Sequence, residues 1–174
     1  MKTKSLSMTL IMIMMSLTTM GQSAVTSTSF EQKSMKGKMG YSLRISPQFG
    51  MTYADLTIGY HLTDKSLLGL ALGHGSGYDD AVPADYYHWH IMAFYHYGKQ
   101  IKKSRFSLYS DFMVGGAYYY KVTADTDMAK KGDIDLAISW QPGIAFRLFK
   151  NAKIFLGPAI LPNVGIHAGI SYGM

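Results

Sequence analysis

The sequence predicts an all-β protein: an eight-stranded, antiparallel, up-and-down transmembrane β-barrel with a polar, side-chain-filled interior. Three observations predict this fold. Apolar and polar residues alternate with a period of two in eight segments, as they do in strands with two different faces. Each segment has about ten residues or more, which is the length of a tilted transmembrane strand. An export signal precedes the first segment.

Residues 1–24 have the three-part layout of a cleaved signal peptide. Two lysines lie within the first four residues, the uncharged apolar run Met8–Leu17 follows, and small and polar residues come next. The apolar run is too short for a transmembrane helix, which needs about 20 residues. Cleavage after Gly21 and cleavage after Ala24 both fit. We therefore expect an exported protein, with residues 25–36 as a polar periplasmic N-terminal segment.

The composition excludes several other classes of protein. The chain has no cysteine, so an exported protein of this size has no disulfide and no lipid-modified cysteine anchor. The formal net charge is +6, but the basic residues cluster in short connections such as Gly98–Arg105 rather than on one face. A nucleic-acid-binding protein needs a basic face with base-stacking groups. We therefore expect no nucleic-acid partner, and no cofactor is expected either.

Residues 37–174 are predicted to form the barrel. The clearest strand lies in residues 132–149, where every even position from Ile134 to Leu148 is apolar and every odd position is polar or small. The other seven segments with this alternation are residues 41–49, 53–63, 66–75, 85–98, 105–121, 152–161 and 164–174.

The connections between these segments alternate in length. The third, residues 75–85, and the fifth, residues 122–133, are long, whereas the second, fourth and sixth are short. Outer-membrane barrels alternate long external loops with short periplasmic turns, which here would place both termini in the periplasm. The first and seventh connections are shorter than that arrangement usually has. The polar and acidic stretches Asp79–Asp85 and Thr123–Gly132 would then face the outside.

Residues 85–98, DYYHWHIMAFYHYG, contain three histidines among six aromatic residues. As a strand, this segment carries tyrosine and tryptophan on one face and histidine on the other. Histidine is costly in hydrocarbon but can face a polar barrel interior. The face with His88, His90 and His96 is therefore predicted to point inward.

Nearly all the charged strand residues occupy alternate positions that point inward in the same way, which is called inward parity below. An eight-stranded barrel has an interior just wide enough for side chains to fill it, and buried charges there need partners. We predict an interlocked structural network, with His90 near Asp111 and Arg44 near Asp55. Its predicted members are Arg44, Asp55, His88, His90, His96, Arg105, Tyr109, Asp111, Asp135, Gln141, Arg147 and His167.

Tyrosine and tryptophan lie towards both ends of the outward faces. Amphipathic rings at these positions are typical of the aromatic belts at membrane interfaces. The predicted belt, or girdle, consists of Tyr41, Tyr60, Tyr87, Trp89, Tyr95, Tyr97, Tyr118, Tyr120, Trp140 and Tyr172.

A metal site is the alternative interpretation of the histidines. His88 and His90 are two residues apart on one strand face, about 6.6 Å along the backbone, which suits two ligands. Asp111 could supply a third ligand if the fourth and fifth strands pair. A hydrogen-bonding role in the polar interior is the preferred interpretation, so no metal site is predicted.

The chain resembles the small eight-stranded outer-membrane β-barrel proteins, the OmpA-like, OmpX-like and opacity-protein group. The signal peptide, the eight two-faced strands and the C-terminal strand HAGISYGM carry this resemblance. That strand is similar to the signal read by the barrel-assembly machinery, with His167, Gly169, Tyr172 and Met174 as its elements. It departs from the common form in ending with methionine rather than phenylalanine.

The resemblance implies a place in the outer membrane of a Gram-negative bacterium. It also implies contact with outer-membrane lipid and lipopolysaccharide, handling by the barrel-assembly machinery, and a monomer. The leading hypothesis is a non-enzymatic integral barrel with an envelope structural or surface-interaction role.

Two alternatives stay open. Lipid A acyltransferase and deacylase enzymes share this architecture, and His74, Ser76 and Asp79 form the only local cluster with the residue types of such a site. A secreted, lipocalin-like barrel for an apolar ligand would place the apolar face inward and the charged face in water.

Overall fold

A computed structural model describes residues 34–79, 84–102, 104–123 and 130–174 of the chain. Each strand pairs antiparallel with its neighbours in sequence, and β8 pairs with β1, which closes the barrel. The predicted fold class is confirmed. The strands are β1 (Met39–Gln48), β2 (Met51–His61), β3 (Ser66–Asp79), β4 (Ala84–Gln100), β5 (Phe106–Val122), β6 (Ile134–Arg147), β7 (Ala152–Ala159) and β8 (Gly165–Tyr172).

The predicted signal peptide and residues 25–33 of the N-terminal segment lie outside the described residues. No helix in the described part of the chain is long and apolar enough to cross a membrane.

Burial along the strands follows the alternation in the sequence. In β1, Ser42, Arg44 and Ser46 are buried, while Leu43 and Ile45 expose 52% and 55% of their surface. The same two-faced pattern continues around the barrel, so the buried polar side chains lie inside and apolar side chains cover the outside. A soluble barrel that carries an apolar ligand would have the opposite arrangement.

The two ends of the barrel carry different features. The end where β1 begins and β8 ends, here called the terminal end, also has the connections after β2, β4 and β6, residues 62–65, 101–105 and 148–151. The predicted alternation of long and short connections holds only for the fifth, residues 123–133, because the other connections at the opposite end are as short as these or nearly so. The opposite end, called the loop end, has the other four connections. There, Phe49 and Gly50 alone join β1 to β2, and Gly50 has a φ of 73°. Glycine adopts this left-handed conformation at no steric cost, so the hairpin turns tightly.

The β3–β4 hairpin is taller than the sequence predicts. β3 continues to Asp79 and β4 begins at Ala84, so most of the long connection expected at residues 75–85 is paired strand. Glycines on the inward face of β3 leave room for the bulky inward rings of β4, which allows the pairing to continue. The remaining loop residues 80–83, and residues 124–129 of the fifth connection, lie outside the described residues.

The barrel wall is uneven in height. β6 and β7 pair only through Ile144–Arg147 and Lys153–Leu156. Pro142 and Pro158 follow towards the loop end, and proline has no N–H to continue the ladder. Beyond them, residues Ile134–Ser139 of β6 pair with β5 alone among the described residues.

An apolar cluster shares the interior with the polar side chains, which the sequence analysis did not predict. Gly173 has a φ of 71°, so the chain turns after β8 and Met174 becomes buried. This cluster covers the β3–β5 side of the lumen. Its buried members are Leu67, Ala71, Met92, Phe94, Met113 and Met174.

Candidate functional site

Arg44 of β1 occupies the middle of the lumen. One terminal nitrogen donates to Gln141 Oε1 at 2.5 Å, and the other pairs with Asp111. The guanidinium carbon also lies 5.8 Å from the ring centroid of Phe94 and 5.2 Å from that of Phe155. These distances are within the range of cation–π attraction. One side chain thus links β1 to strands on the opposite side of the barrel.

Asp111 of β5 has partners for both carboxylate oxygens. His96 Nδ1 donates to Oδ1 at 2.6 Å, and Arg44 holds Oδ2. His96 and Asp111 face each other across the β4–β5 ladder. A buried carboxylate is stable only with such partners. We call Arg44, Asp111, His96 and Gln141 the central network.

The pairing of charges differs from the predicted one. His90 Nε2 lies 2.5 Å from Asp55 Oδ1, and Arg44 pairs with Asp111. Arg44 and Asp55 are opposite each other in the β1–β2 ladder, as predicted, but the long arginine side chain extends across the lumen to Asp111. The predicted position of His90 near Asp111 was wrong, because Asp111 lies opposite His96 in the β4–β5 ladder. Gly73 stands between Asp55 and His90 in the sheet, and its missing side chain lets them meet.

A second cross-lumen contact joins β5 to β8. The Tyr109 hydroxyl and His167 Nε2 share a hydrogen bond of 2.5 Å, and both side chains are buried. The Phe155 ring packs on both, with ring centroids 5.6 Å from Tyr109 and 6.1 Å from His167. His167 of the C-terminal strand therefore lies in the interior.

The other predicted interior residues have different surroundings. His88 is buried against the rings of Tyr53, His90 and Tyr119. Arg147 is buried and donates to Gln100 Oε1 at 3.3 Å.

Two of the predicted interior residues are not buried. Arg105 precedes β5 and is partly buried at the terminal end. Asp135 is exposed, which contradicts its predicted place in the interior network. Asp135 lies on the part of β6 that extends beyond the end of β7. Its side chain points to the inner side of the strand, but no wall faces it there, so it is in solvent.

Two buried hydrogen bonds and one ring contact in the interior were not predicted from the sequence. Ser42 and Thr57 share a hydrogen bond of 2.6 Å between β1 and β2. His61 Nε2 bonds the carbonyl of Gly173, and Tyr53 packs on His88. All of these side chains have inward parity, which was the available signal. What parity could not reveal is the fold-back of the C-terminus onto His61.

The described residues of the interior do not form a site for a metal ion. His88 and His90 have ring centroids 5.6 Å apart, but Asp111 bonds Arg44 and His96 instead. No three metal-ligating groups come together in the described part of the chain. A pocket lined by Lys153 and Ser171, among others, extends to Arg44 and Asp111. The chemistry of this interior is therefore that of a charged, hydrogen-bonded plug.

The predicted aromatic girdle forms two bands on the outer surface. Tyr41, Tyr60, Tyr95, Tyr97 and Tyr172 lie near the terminal end, and Tyr87, Trp89, Tyr118 and Tyr120 lie near the loop end. Trp140 is in the middle of β6, in the same ladder row as Phe112 and Tyr95, and belongs to neither band. Eight of the ten are exposed. The two that are partly buried, Tyr87 and Tyr120, pack around His74. Between the bands lies a belt of exposed leucine, isoleucine and valine side chains, which includes Leu43, Ile45, Leu56, Ile58, Leu70, Leu72, Ile91 and Val114.

The candidate catalytic residues lie on this outer surface. His74 Nε2 hydrogen-bonds the Tyr120 hydroxyl at 2.8 Å. Ser76 has the same outward parity, but no hydrogen bond joins it to His74 among the described residues. A histidine activates a hydroxyl nucleophile only within hydrogen-bond reach. The side chain of Asp79 lies outside the described part of the chain.

The predicted assembly-signal residues do not share one surface. Tyr172 is 58% exposed on the outside, whereas His167 and Met174 are buried. Gly169 packs closely against the carbonyl of Leu43 and the ring of Phe155, where a Cβ would collide.

Comparison with known proteins gives matches at the level of the fold only. No protein-family model and no curated protein matches the chain. The N-terminal β-barrel domain of Pseudomonas aeruginosa OprF is 16% identical, aligns over 80% of this chain and 98% of its own, and has a TM-score of 0.50. The chain has the fold of the small outer-membrane β-barrels.

Two further solved structures are similar with lower scores. Neisserial surface protein A is 14% identical over 78% of this chain and 94% of its own, with a TM-score of 0.47. OprG from Pseudomonas aeruginosa is 13% identical over 77% of this chain and 92% of its own, also with a TM-score of 0.47.

Proposed function

We propose that the protein is a non-enzymatic integral barrel of the outer membrane of a Gram-negative bacterium, with a structural or surface-interaction role in the envelope. The observation that carries this proposal is the belt of exposed apolar side chains between two aromatic bands. Leu56 and Leu72, which are ladder neighbours in this belt, expose 55% and 49% of their surface. Soluble monomers rarely expose apolar patches of more than a few hundred Å².

The proposed orientation is supported by the ends of the barrel. The first and last described residues lie at the terminal end and the longest connection, residues 123–133, lies at the loop end, and in barrels of this kind both termini are periplasmic and the long loops are external. The loop end then faces outward and carries any surface-interaction role. The barrel-assembly machinery and outer-membrane lipid, including lipopolysaccharide, are the proposed partners, and the protein acts as a monomer.

Fractionation tests the membrane location. Outer membranes are extracted with carbonate, and the protein is run on SDS gels with and without boiling. We expect retention in the membrane and a mobility shift on boiling, because a closed hydrogen-bonded barrel resists the detergent when unheated. Release into the soluble fraction would contradict the proposal.

Lipid A analysis tests the non-enzymatic part. His74 and Ser76 face the level at which lipid headgroups would lie, so an acyltransferase or deacylase is the competing function. We expect identical lipid A acylation in cells with the wild-type protein, with Ser76→Ala and without the protein. A change in acylation that Ser76→Ala abolishes would establish the enzyme instead.

A further inference from the structure

A β-bulge interrupts the β4–β5 ladder at the loop end. His88 pairs with Tyr119 and Tyr87 pairs with Lys121, so Tyr120 is an extra residue without a partner in β4. Beyond this point the parity of β5 is reversed. Val122 packs inside, while Lys121 points outward. Without the bulge, regular alternation would point Lys121 inward. Bulges commonly re-aim side chains in this way.

The bulge assembles a cluster on the outer surface, here called the outer-face cluster: His74, Tyr87, Trp89, Tyr120 and Lys121. His74 bonds Tyr120 through Nε2 at 2.8 Å, and its ring lies edge-on to Trp89 with centroids 4.9 Å apart. Trp89 stacks on Tyr120 at 6.2 Å between centroids. The Lys121 ammonium lies 5.0 Å from the ring centroid of Tyr87.

The position of the cluster limits what it can contact. Trp89 is 58% exposed and lies in the loop-end aromatic band, directly above the apolar belt. Lys121 forms no ion pair among the described residues. The nearest charged position on its own face is Asp85, which follows Tyr87 towards the loop end. Lys130 and Lys131 lie exposed beyond β5 on the same side of the loop end.

We propose that the outer-face cluster binds the phosphorylated saccharide headgroup of an outer-leaflet glycolipid. This inference rests on the proposed membrane location. The ammonium of Lys121 offers a charge-assisted hydrogen bond to a phosphate. The imidazole of His74 and the Tyr120 hydroxyl offer hydrogen bonds to sugar hydroxyls, and the exposed Trp89 ring offers an amphipathic face at headgroup depth.

The experiment uses Trp89 as an internal probe. The chain has two tryptophans, so Trp140→Phe makes Trp89 the only one. The barrel is refolded in detergent micelles and titrated with bisphosphorylated lipid A, and with phosphatidylglycerol as an anionic lipid without sugar rings. We expect a saturable change in Trp89 emission with lipid A, and binding of phosphatidylglycerol that is at least about tenfold weaker.

Lys121→Met and Lys99→Met form a matched pair of variants. Lys99 is an exposed cation on the outward face of β4 at the terminal end, so it controls for the loss of one surface charge. We expect Lys121→Met to weaken lipid A binding about tenfold and Lys99→Met to leave it unchanged. Equal effects of the two variants, or equal binding of the two lipids, would overturn the inference.

The outcomes separate this inference from the proposed function. A barrel that shifts on boiling and stays in carbonate-extracted membranes, yet shows no preference for lipid A, retains the proposed function and refutes only the headgroup site. A chain that fractionates as a soluble protein refutes both. The boiling shift is also measured for each variant, so that a folding defect is not mistaken for lost binding.

Discussion

At the level of single residues, Arg44 is the side chain on which the interior depends most. It is buried, and it joins β1 to Asp111 and Gln141 across the lumen. A buried ion pair adds little over a well-packed apolar pair, but removing one member leaves an uncompensated charge. Removing one member of the pair should therefore destabilise the barrel more than removing both.

We expect Arg44→Met to lower the free energy of unfolding by about 3–5 kcal/mol, because Asp111 then keeps only His96 as a partner. Arg44→Met combined with Asp111→Asn should recover part of this loss. Equilibrium unfolding in denaturant, with the barrel in lipid vesicles, measures both values, and Lys99→Met serves as the exposed control. A double variant as unstable as the sum of the single variants would refute the coupling.

Gly73 provides a second test at this level. A Cβ there would meet His90 Nε2, Asp55 Oδ1 and the carbonyl oxygen of Ala54. Overpacking of this kind costs about 1–3 kcal/mol, so Gly73→Ala should destabilise the barrel by that amount. Gly116→Ala is the matched control in another strand, because the nearest atoms to its Cβ are 3.8 and 3.9 Å away. The same denaturant series measures both variants, and equal stabilities would show that β3 can move aside.

The sequence predicted which residues face inward but not which ones meet. Parity assigns Arg44, Asp55, His90 and Asp111 to one face because it is a local property of each strand. Their pairing depends on how far each side chain reaches across a lumen whose width and tilt no local pattern encodes. The exposed Asp135 shows the related limit: inward parity implies burial only where a facing wall exists.

At the level of elements, the strands themselves were predictable and their irregularities were not. The alternation in the sequence of β6 has no exception, and burial follows it from Ser139 to Gln141 and from Ile144 to Arg147, whereas Ile134, Asp135 and Leu136 are all exposed. The bulge at Tyr120 lies within a run of three tyrosines, where an added residue leaves no trace in the alternation of polarity. The full length of β3 was not predicted, because its glycine-rich end has the composition of a loop.

The β2–β3 turn holds the chain entering the barrel. Asp64 accepts hydrogen bonds from the Ser34 hydroxyl at 2.7 Å and from the N–H groups of Met35 and Lys36. The Ser34 bond, then the two backbone bonds, lower the pKa of the Asp64 carboxyl, and His61 adds to this. A lowered pKa in the folded state means that the ionised form is the stabilising one.

The attachment of residues 34–36 should therefore be complete above the ordinary aspartate pKa of 3.8 and be lost as the pH falls through the lowered value. Amide chemical shifts of Met35 and Lys36, followed by NMR from neutral to strongly acidic pH, measure this transition. Asp64→Asn should abolish it, because the amide does not titrate. A transition that persists in Asp64→Asn would assign it to another group.

At the level of the whole molecule, the interior is filled and the outside is apolar. The central network, the Tyr109–His167 contact and the apolar cluster together occupy the lumen. The interior of an eight-stranded barrel is just wide enough for side chains to fill it. In the proposed orientation, the surface that contacts lipid is the apolar belt with its aromatic bands, and the surface exposed outside the cell is the loop end.

An arginine placed in the belt distinguishes a lipid environment from a watery one. Leu56 lies in the middle of the belt, between its ladder neighbours Leu43 and Leu72. In a bilayer, Leu56→Arg should cost about 2–4 kcal/mol, whereas Thr52→Arg, on the same face near the loop end, should cost about 0–1 kcal/mol. On a protein surface in water, both substitutions would be close to neutral. Reversible unfolding from lipid vesicles measures the two values, and a depth dependence of this size requires that the belt face hydrocarbon.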